Sequence, residues 1–200
     1  MLVRDRMVRK VITTEPQRSL AEVRALLRRH RVRQVPVLRG DRVVGIVTDR
    51  DLRSAPAAAK TVADVMTAKP FVISPDASVD EAARLMRTYK IGALPVVDGA
   101  ALLGILTASD VLDAFVDLSG VAEPTYRIVL TGEPGKQFEA RIRHIVEKRR
   151  GELKWLHYDA KHRPAEIHLR VKVRHVDDVE SDLEAAGFEV SSVVAPPRVR

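Results

Sequence analysis

Two stretches of the chain end in the same way. Gly45-Ile-Val-Thr-Asp-Arg-Asp51 and Gly104-Ile-Leu-Thr-Ala-Ser-Asp110 each set a hydroxyl three residues ahead of a carboxylate, where an apolar run gives way to a helical pattern. At such a turn the free amides and positive end of a helix attract phosphate, here at Thr48 and Thr107. An ionised carboxylate is an acceptor only, so Asp51 and Asp110 suit the hydroxyls of a diol. The same Thr-x-x-Asp spacing is also a helix-capping box, which stabilises an ordinary helix by ~1 kcal/mol. Two copies in one context weigh toward a binding site over a cap. The copies differ between Thr and Asp: Asp49-Arg50 offers a cation for phosphate charge, whereas Ala108-Ser109 offers none, so the first favours the more phosphorylated ligand. His30, Arg31 and Arg33 stand just before the first apolar pair of runs, where Tyr89, Lys90 and Gly92 stand before the second. Each arginine reads as a further phosphate contact or as solvated surface.

The elements that hold these residues are duplicated. A shift of 59 residues aligns the first part of the chain with the second without a gap, and 16 of the 50 positions from Val3 to Leu52 are identical to their partners. Met7 falls on Met66, Lys10 on Lys69, Pro36 on Pro95, Gly45 on Gly104 and Thr48 on Thr107. One supersecondary unit is therefore used twice. Ser19-Leu-Ala-Glu22 and Ser78-Val-Asp-Glu81 have the capping-box form and start a helix in each copy. Leu20, Val23 and Leu27 form its buried stripe, as do Val79, Ala82, Ala83 and Met86. The runs 34–38 and 42–48 flank Gly40, and 93–97 and 101–107 flank Gly99, so each pair reads as a hairpin. A short second helix follows, and the unit is strand, helix, strand, strand, helix.

A repeat of this length, with a Gly-apolar-x-Thr-x-x-Asp ending and a Val/Leu-Pro-Val hairpin, resembles a cystathionine-β-synthase (CBS) domain pair over residues 1–118. The resemblance implies an adenosine-nucleotide pocket in each copy, with the Thr hydroxyl toward phosphate and the Asp accepting both ribose hydroxyls. The implied site residues are Thr48, Arg50, Asp51 and Pro36, and Thr107, Ser109, Asp110 and Pro95, each proline shaping the strand edge against which adenine packs. The implied ligands are AMP, ADP or ATP, with S-adenosylmethionine as a further candidate. The family also implies a homodimer and a regulatory, non-enzymatic role toward another protein.

After Ser119-Gly120 the pattern changes. Strands at 126–131, 152–158, 165–174 and 188–194 alternate with helices at 138–150 and 176–186, a βαββαβ order of ferredoxin-like type. With Gly132-Glu133-Pro134-Gly135 between its first strand and helix, this part resembles an ACT domain, a family that binds amino acids and similar metabolites at that loop. Lys136-Gln137 follow where that family more often has small or apolar residues, and a plain loop remains an equal reading. RNA recognition on the same fold requires stacking aromatics on the central strands. The 165–174 strand has none, and the default role of Trp155 and Tyr158 on its neighbour is core packing. The whole is an α/β (α+β) chain with repeats at 1–59 and 60–118 and an ACT-like domain at 124–195, similar to the acetoin-utilisation family.

Composition sets the outer bounds. The 200 residues, 46% hydrophobic and 30% charged, suffice for a packed core, and the absence of cysteine excludes disulfides and thiolate sites. The net charge of +7 is uneven: residues 1–55 hold 14 Lys and Arg against 6 Asp and Glu, residues 56–120 hold 5 against 8, and the remainder 15 against 13. That basic first quarter fits a phosphate-bearing ligand, an arginine-rich surface, or nucleic acid as the less favoured partner. No apolar run suggests a signal or a membrane span, so a cytoplasmic protein is expected. The six histidines lack metal-ligand spacing, no nucleophile or glycine-rich phosphate motif occurs, and no metal is expected. The enzyme alternative is a regulatory subunit of a metabolic enzyme.

Overall fold

Each copy of the repeat is organised by its hairpin. The computed structural model describes residues 1–132 and 135–196, and its chain divides into one unit ending at Ala114 and a second beginning at Phe115. In the first unit α1 (Leu20–His30) precedes β1 (Gln34–Arg39), β2 (Arg42–Thr48) and α2 (Asp49–Arg53). The two-residue β3 (Thr67–Ala68) leads into α3 (Val79–Tyr89), β4 (Ala93–Asp98), β5 (Ala101–Thr107) and α4 (Ala108–Ser119). The tight turns place Gly40 and Gly99 at φ +60° and +57°, a backbone region that only glycine enters without strain. The hairpins share one register, Gln34 opposite Thr48 and Ala93 opposite Thr107, with a bulge at the same place in each. They join at Arg42 and Ala101 in the sheet order β1-β2-β5-β4.

The two helix starts differ. The Ser19 hydroxyl accepts from the Glu22 amide at 3.3 Å, and the Glu22 carboxylate accepts from the Ser19 hydroxyl at 2.8 Å and from its amide at 3.0 Å, two contacts that hold that carboxyl below its ordinary range. Ser78 accepts from the Glu81 amide at 3.1 Å, but its hydroxyl donates to Asp80 and the Glu81 carboxylate does not reciprocate. The second expected capping box is thus only half made. Ser19→Ala is expected to lower stability by about 1 kcal/mol, read from the urea midpoint, and Ser78→Ala by less.

The leading segments correct the expected order of elements. Each was expected to form the first strand of its unit; its first part pairs only briefly, and with the other copy. Val8 pairs with Ile105 of β5 through amide–carbonyl bonds of 2.9 and 3.0 Å in both directions, and β3 pairs with β2 at Gly45 and Ile46. Val3 and Met7 are buried with Ile73, Ala82, Met86, Leu94, Val96 and Leu106, a core of the second copy. Val62 lies in the first copy's core with Leu20, Val23, Leu27, Val35, Val37, Val47 and Leu52, and Met66 packs against it. Only then does each segment return, Thr14 beside Val37 and Ile73 beside Val96. The crossing explains two glycines. A Cβ on Gly45 would fall 2.5 Å from Met66 Sδ and 3.2 Å from the Thr67 carbonyl oxygen, and one on Gly104 would fall 2.7 Å from Met7 Sδ.

The second unit contains β6 (Tyr126–Thr131), α5 (Phe138–Lys148), β7 (Glu152–Asp159), β8 (Glu166–Lys172), α6 (Val176–Ala185) and β9 (Glu189–Val194). Its antiparallel sheet runs β7-β8-β6-β9, the ferredoxin-like order. Ile128, Leu130, Ile167, Leu169 and Val171 face α5 and α6, where Ile142, Val146, Val179 and Leu183 meet them. The opposite face carries Glu166, His168 and Arg170 of β8. In register with them on β7 are Asp159, His157 and Trp155. Trp155 therefore stands outside the core, stacked on His157 with centroids 5.6 Å apart, whereas Tyr158 packs as expected.

Arg149 fixes α5 to α6 through hydrogen bonds of 2.8 and 2.9 Å to Asp182, and this contact holds the Asp182 carboxyl below its ordinary range. Lys172 and Lys154 lower Glu123 in the same way. A depressed carboxylate stabilises above its unfolded pKa, about 4, and the contribution fades as pH falls through the lower folded value. Acid titration should therefore destabilise this unit below about pH 4, and Asp182→Asn should flatten that dependence in a melting-versus-pH series. Among the described residues no helix is long and apolar enough to cross a membrane.

Candidate functional site

Thr48 closes β2 and caps α2; Thr107 closes β5 in the same way at α4. The Asp51 Oδ2 accepts from the Thr48 amide at 2.8 Å and from its hydroxyl at 2.7 Å, and Thr48 Oγ1 accepts from the Asp51 amide at 3.2 Å. At the second copy the corresponding distances are 2.7, 2.7 and 3.4 Å. The capping reading is thus present in full, and it fixes the carboxylates. One oxygen of each is engaged while Oδ1 has no protein partner among the described residues. All four side chains are half-buried.

A cavity of about 760 Å³ opens at Thr48, Arg50 and Asp51. Its other walls are Ile46, the segment Thr67, Lys69, Pro70 and Phe71, and the stretch from Lys90 to Ala93. A smaller one of about 290 Å³ opens at Thr107 and Ser109, walled by Ile105, by Val8, Lys10, Val11 and Ile12, and by the stretch from Arg31 to Gln34. Shifting the second lining by 59 residues reproduces the first almost position for position. Each cavity therefore takes its Thr and the hairpin-end residues around it from one copy and the facing wall from the other. A molecule filling either one would bridge the two copies.

This arrangement redistributes the expected residues. Arg31 lines the Thr107 cavity, not that of its own copy, while Arg33 reaches both; Lys90 and Gly92 line the Thr48 cavity. His30 and Tyr89 line neither, although Tyr89 stacks on the wall residue Phe71 with centroids 4.1 Å apart. Pro36 and Pro95 are buried and line neither cavity. Their carbonyls accept from the Thr14 and Ile73 amides at 3.0 Å, and Ile46 and Ile105, directly across the hairpins, supply the apolar wall instead. Asp110, held by Thr107, does not line the smaller cavity, whereas Asp51 lines the larger. Lys69, Phe71, Lys10 and Ile12 were not expected as wall residues; the match of Lys10 to Lys69 was the available signal. The Thr48 cavity carries Arg33, Arg50, Arg53, Lys69 and Lys90 against Asp49 and Asp51, and the Thr107 cavity Lys10, Arg31 and Arg33 with no acid in its wall.

In the second unit Gly132, at φ +120°, donates its amide to the Ala165 carbonyl at 3.0 Å, and Gly135 precedes α5. Glu133 and Pro134 of the expected loop lie outside the described residues. Among the described residues no cluster of His, Asp and Glu could hold a metal.

The family model described as "CBS domain" matches residues 3–58 and 62–117. An inosine-5'-monophosphate dehydrogenase of Korarchaeum cryptofilum is 42% identical over 105 residues, which is 52% of this chain but 22% of that enzyme. The similarity is confined to the repeated part, and the chain spans about a fifth of such relatives. Among solved structures, the CBS pair of MJ0100 in complex with 5'-methylthioadenosine and S-adenosyl-L-methionine is 31% identical with a TM-score of 0.55, covering 57% of this chain and 95% of that one. CBSX2, a protein of Arabidopsis thaliana, in complex with AMP is 31% identical at 0.54, covering 57% and 96%. A putative acetoin utilization protein of Vibrio cholerae is 30% identical at 0.56, covering 62% and 96%.

Proposed function

The chain belongs to the CBS domain family, and on that footing we propose that it is a regulatory sensor of adenosine nucleotides. The observation that carries this is the pair of matching cavities, each walled by both copies and each opening at a Thr whose hydroxyl is held by the Asp three residues on. Phosphate lies toward Thr48 or Thr107, where the cations of each wall gather, and the ribose diol donates to the free oxygen of Asp51 or Asp110. AMP, ADP, ATP and S-adenosylmethionine are the candidate ligands, supported by the contents of the MJ0100 and CBSX2 structures.

Because a bound nucleotide touches both copies, it favours one placement of them over others, and that population shift is the signal. The βαββαβ unit, read as an ACT-like domain over 124–195, receives the signal or adds a second metabolite. The responding partner is a homodimer mate or a separate metabolic enzyme. Titration calorimetry with the four candidate ligands tests the reading: saturable binding of at least one in the micromolar range supports it, and no heat with any of them refutes it. An amino-acid panel followed by melting temperature tests the ACT-like part, where a shift of several degrees at saturating ligand is the supporting result.

A further inference from the structure

We propose that the first repeat carries a separate polyphosphate-binding groove, which selects nucleoside triphosphates over monophosphates. A cavity of about 460 Å³ lies between the C-terminal half of α1 and α2, lined by Arg24, Arg28, Arg31, Arg33 and Arg53 with Leu27, Val32 and Asp49. It shares Asp49, Arg53 and Arg33 with the Thr48 cavity, and Arg31, Val32 and Arg33 with the Thr107 cavity, so it borders both; only on the Thr48 side does it reach the helix, α2, that carries the Thr–Asp pair of its own repeat. A phosphate chain starting at Thr48 has a direct way into it.

The groove's charge is largely uncommitted. Arg53 is paired with Asp49 at 3.1 Å, and Arg24 donates to the Leu52 carbonyl at 2.5 Å, tying α1 to α2. Arg28, Arg31 and Arg33 make no ion pair or side-chain hydrogen bond with described residues. Three exposed guanidinium groups around one concavity, with no acidic partner among the described residues, set up a positive potential there, and phosphate is an anion that guanidinium forks fit in bidentate fashion.

The duplication supplies an internal control. At the positions 59 residues later the five arginines become Ala83, Arg87, Lys90, Gly92 and Leu112. The second repeat keeps two cations of five, so the groove is a property of the first repeat alone. A bare monophosphate, held at Thr48, leaves the groove empty; the β- and γ-phosphates of a triphosphate fill it.

The inference deepens the nucleotide reading and rests on it for the adenosine end of the ligand. The test uses the full chain with three magnesium-free probes, AMP, ATP and inorganic tripolyphosphate, at low and high salt. ATP is expected to bind at least about tenfold more tightly than AMP at low salt, the gap narrowing as salt screens these exposed arginines. Arg28→Glu, on an exposed side chain facing only the groove, should cost ATP about tenfold and leave AMP within about twofold. Arg29→Glu, one residue on and outside the groove, should change neither, and unliganded melting should report both variants folded. The groove is refuted if wild-type ATP binds no better than AMP, if the two variants act alike, or if Arg28→Glu weakens AMP and ATP equally. Tripolyphosphate binding that depends on Arg28 while no nucleotide binds would keep the groove and overturn the adenosine pockets. Nucleotide binding that needs Asp51 but ignores phosphate number would do the reverse.

Discussion

With Asp51 and Asp110 both replaced by Ala, adenosine-nucleotide affinity should fall about a hundredfold or more. Hydrogen bonds to a charged acceptor contribute about 1.5–3 kcal/mol each, and a half-buried carboxylate meeting two ribose hydroxyls retains enough of that to supply two decades. The same carboxylates cap α2 and α4 through Thr48 and Thr107, so each substitution also removes about 1 kcal/mol of stability. The two roles separate by measurement. Calorimetry reads the affinity, and a urea series on the unliganded protein reads the cap. Asp51→Asn keeps an oxygen for the Thr48 amide but loses the charge, so it should stay near wild-type stability and still lose affinity. If the double Ala variant is destabilised while its affinity is unchanged, the pair is a cap and nothing more.

Removal of residues 1–8 should unfold the second repeat first. The deletion takes out Val3 and Met7, which are 0% and 8% exposed in the second repeat's core, together with the Val8–Ile105 pairing. Large-to-small changes at such sites cost about 2–5 kcal/mol each, so losing both side chains and the pairing consumes most of the stability of a small domain. Hydrogen exchange locates the damage. Protection should fall at Ile105 and its neighbours in β4 and β5 while Val35 and Val47 of the first hairpin stay protected. Loss confined to β1 and β2 would mean that the leading segment serves its own copy, contrary to the crossing described above.

That crossing marks where the sequence stops being informative. Alternation and capping identified both hairpins and the helices after Ser19 and Ser78, because these are local patterns with one low-energy reading. The 59-residue register also paired Thr48 with Thr107 and Lys10 with Lys69. The register matches Met7 to Met66 but does not say beneath which sheet either lies, since either copy offers the same glycine notch. Likewise Arg31 and Arg33 precede the first hairpin in sequence, yet the fold sets Arg31 at Thr107 and Arg33 at both cavities. Burying Pro36 and Pro95 within the hairpins moved the apolar wall to Ile46 and Ile105, a one-strand displacement that spacing does not encode. Trp155 turned away from the core because a bulge between Leu153 and Trp155 reverses the alternation of β7. A single inserted residue moves every later side chain to the other face.

Soaking or co-crystallising the full chain with AMP tests the central claim most directly. The expected difference density places the sugar's two hydroxyls on the unengaged oxygen of Asp51, the phosphate at the start of α2 beside Arg50, and the base between Ile46 and the crossing segment that holds Phe71. Density for the ligand elsewhere on the surface, or the cleft closed by Lys69 and Arg50 with no nucleotide inside, would contradict it.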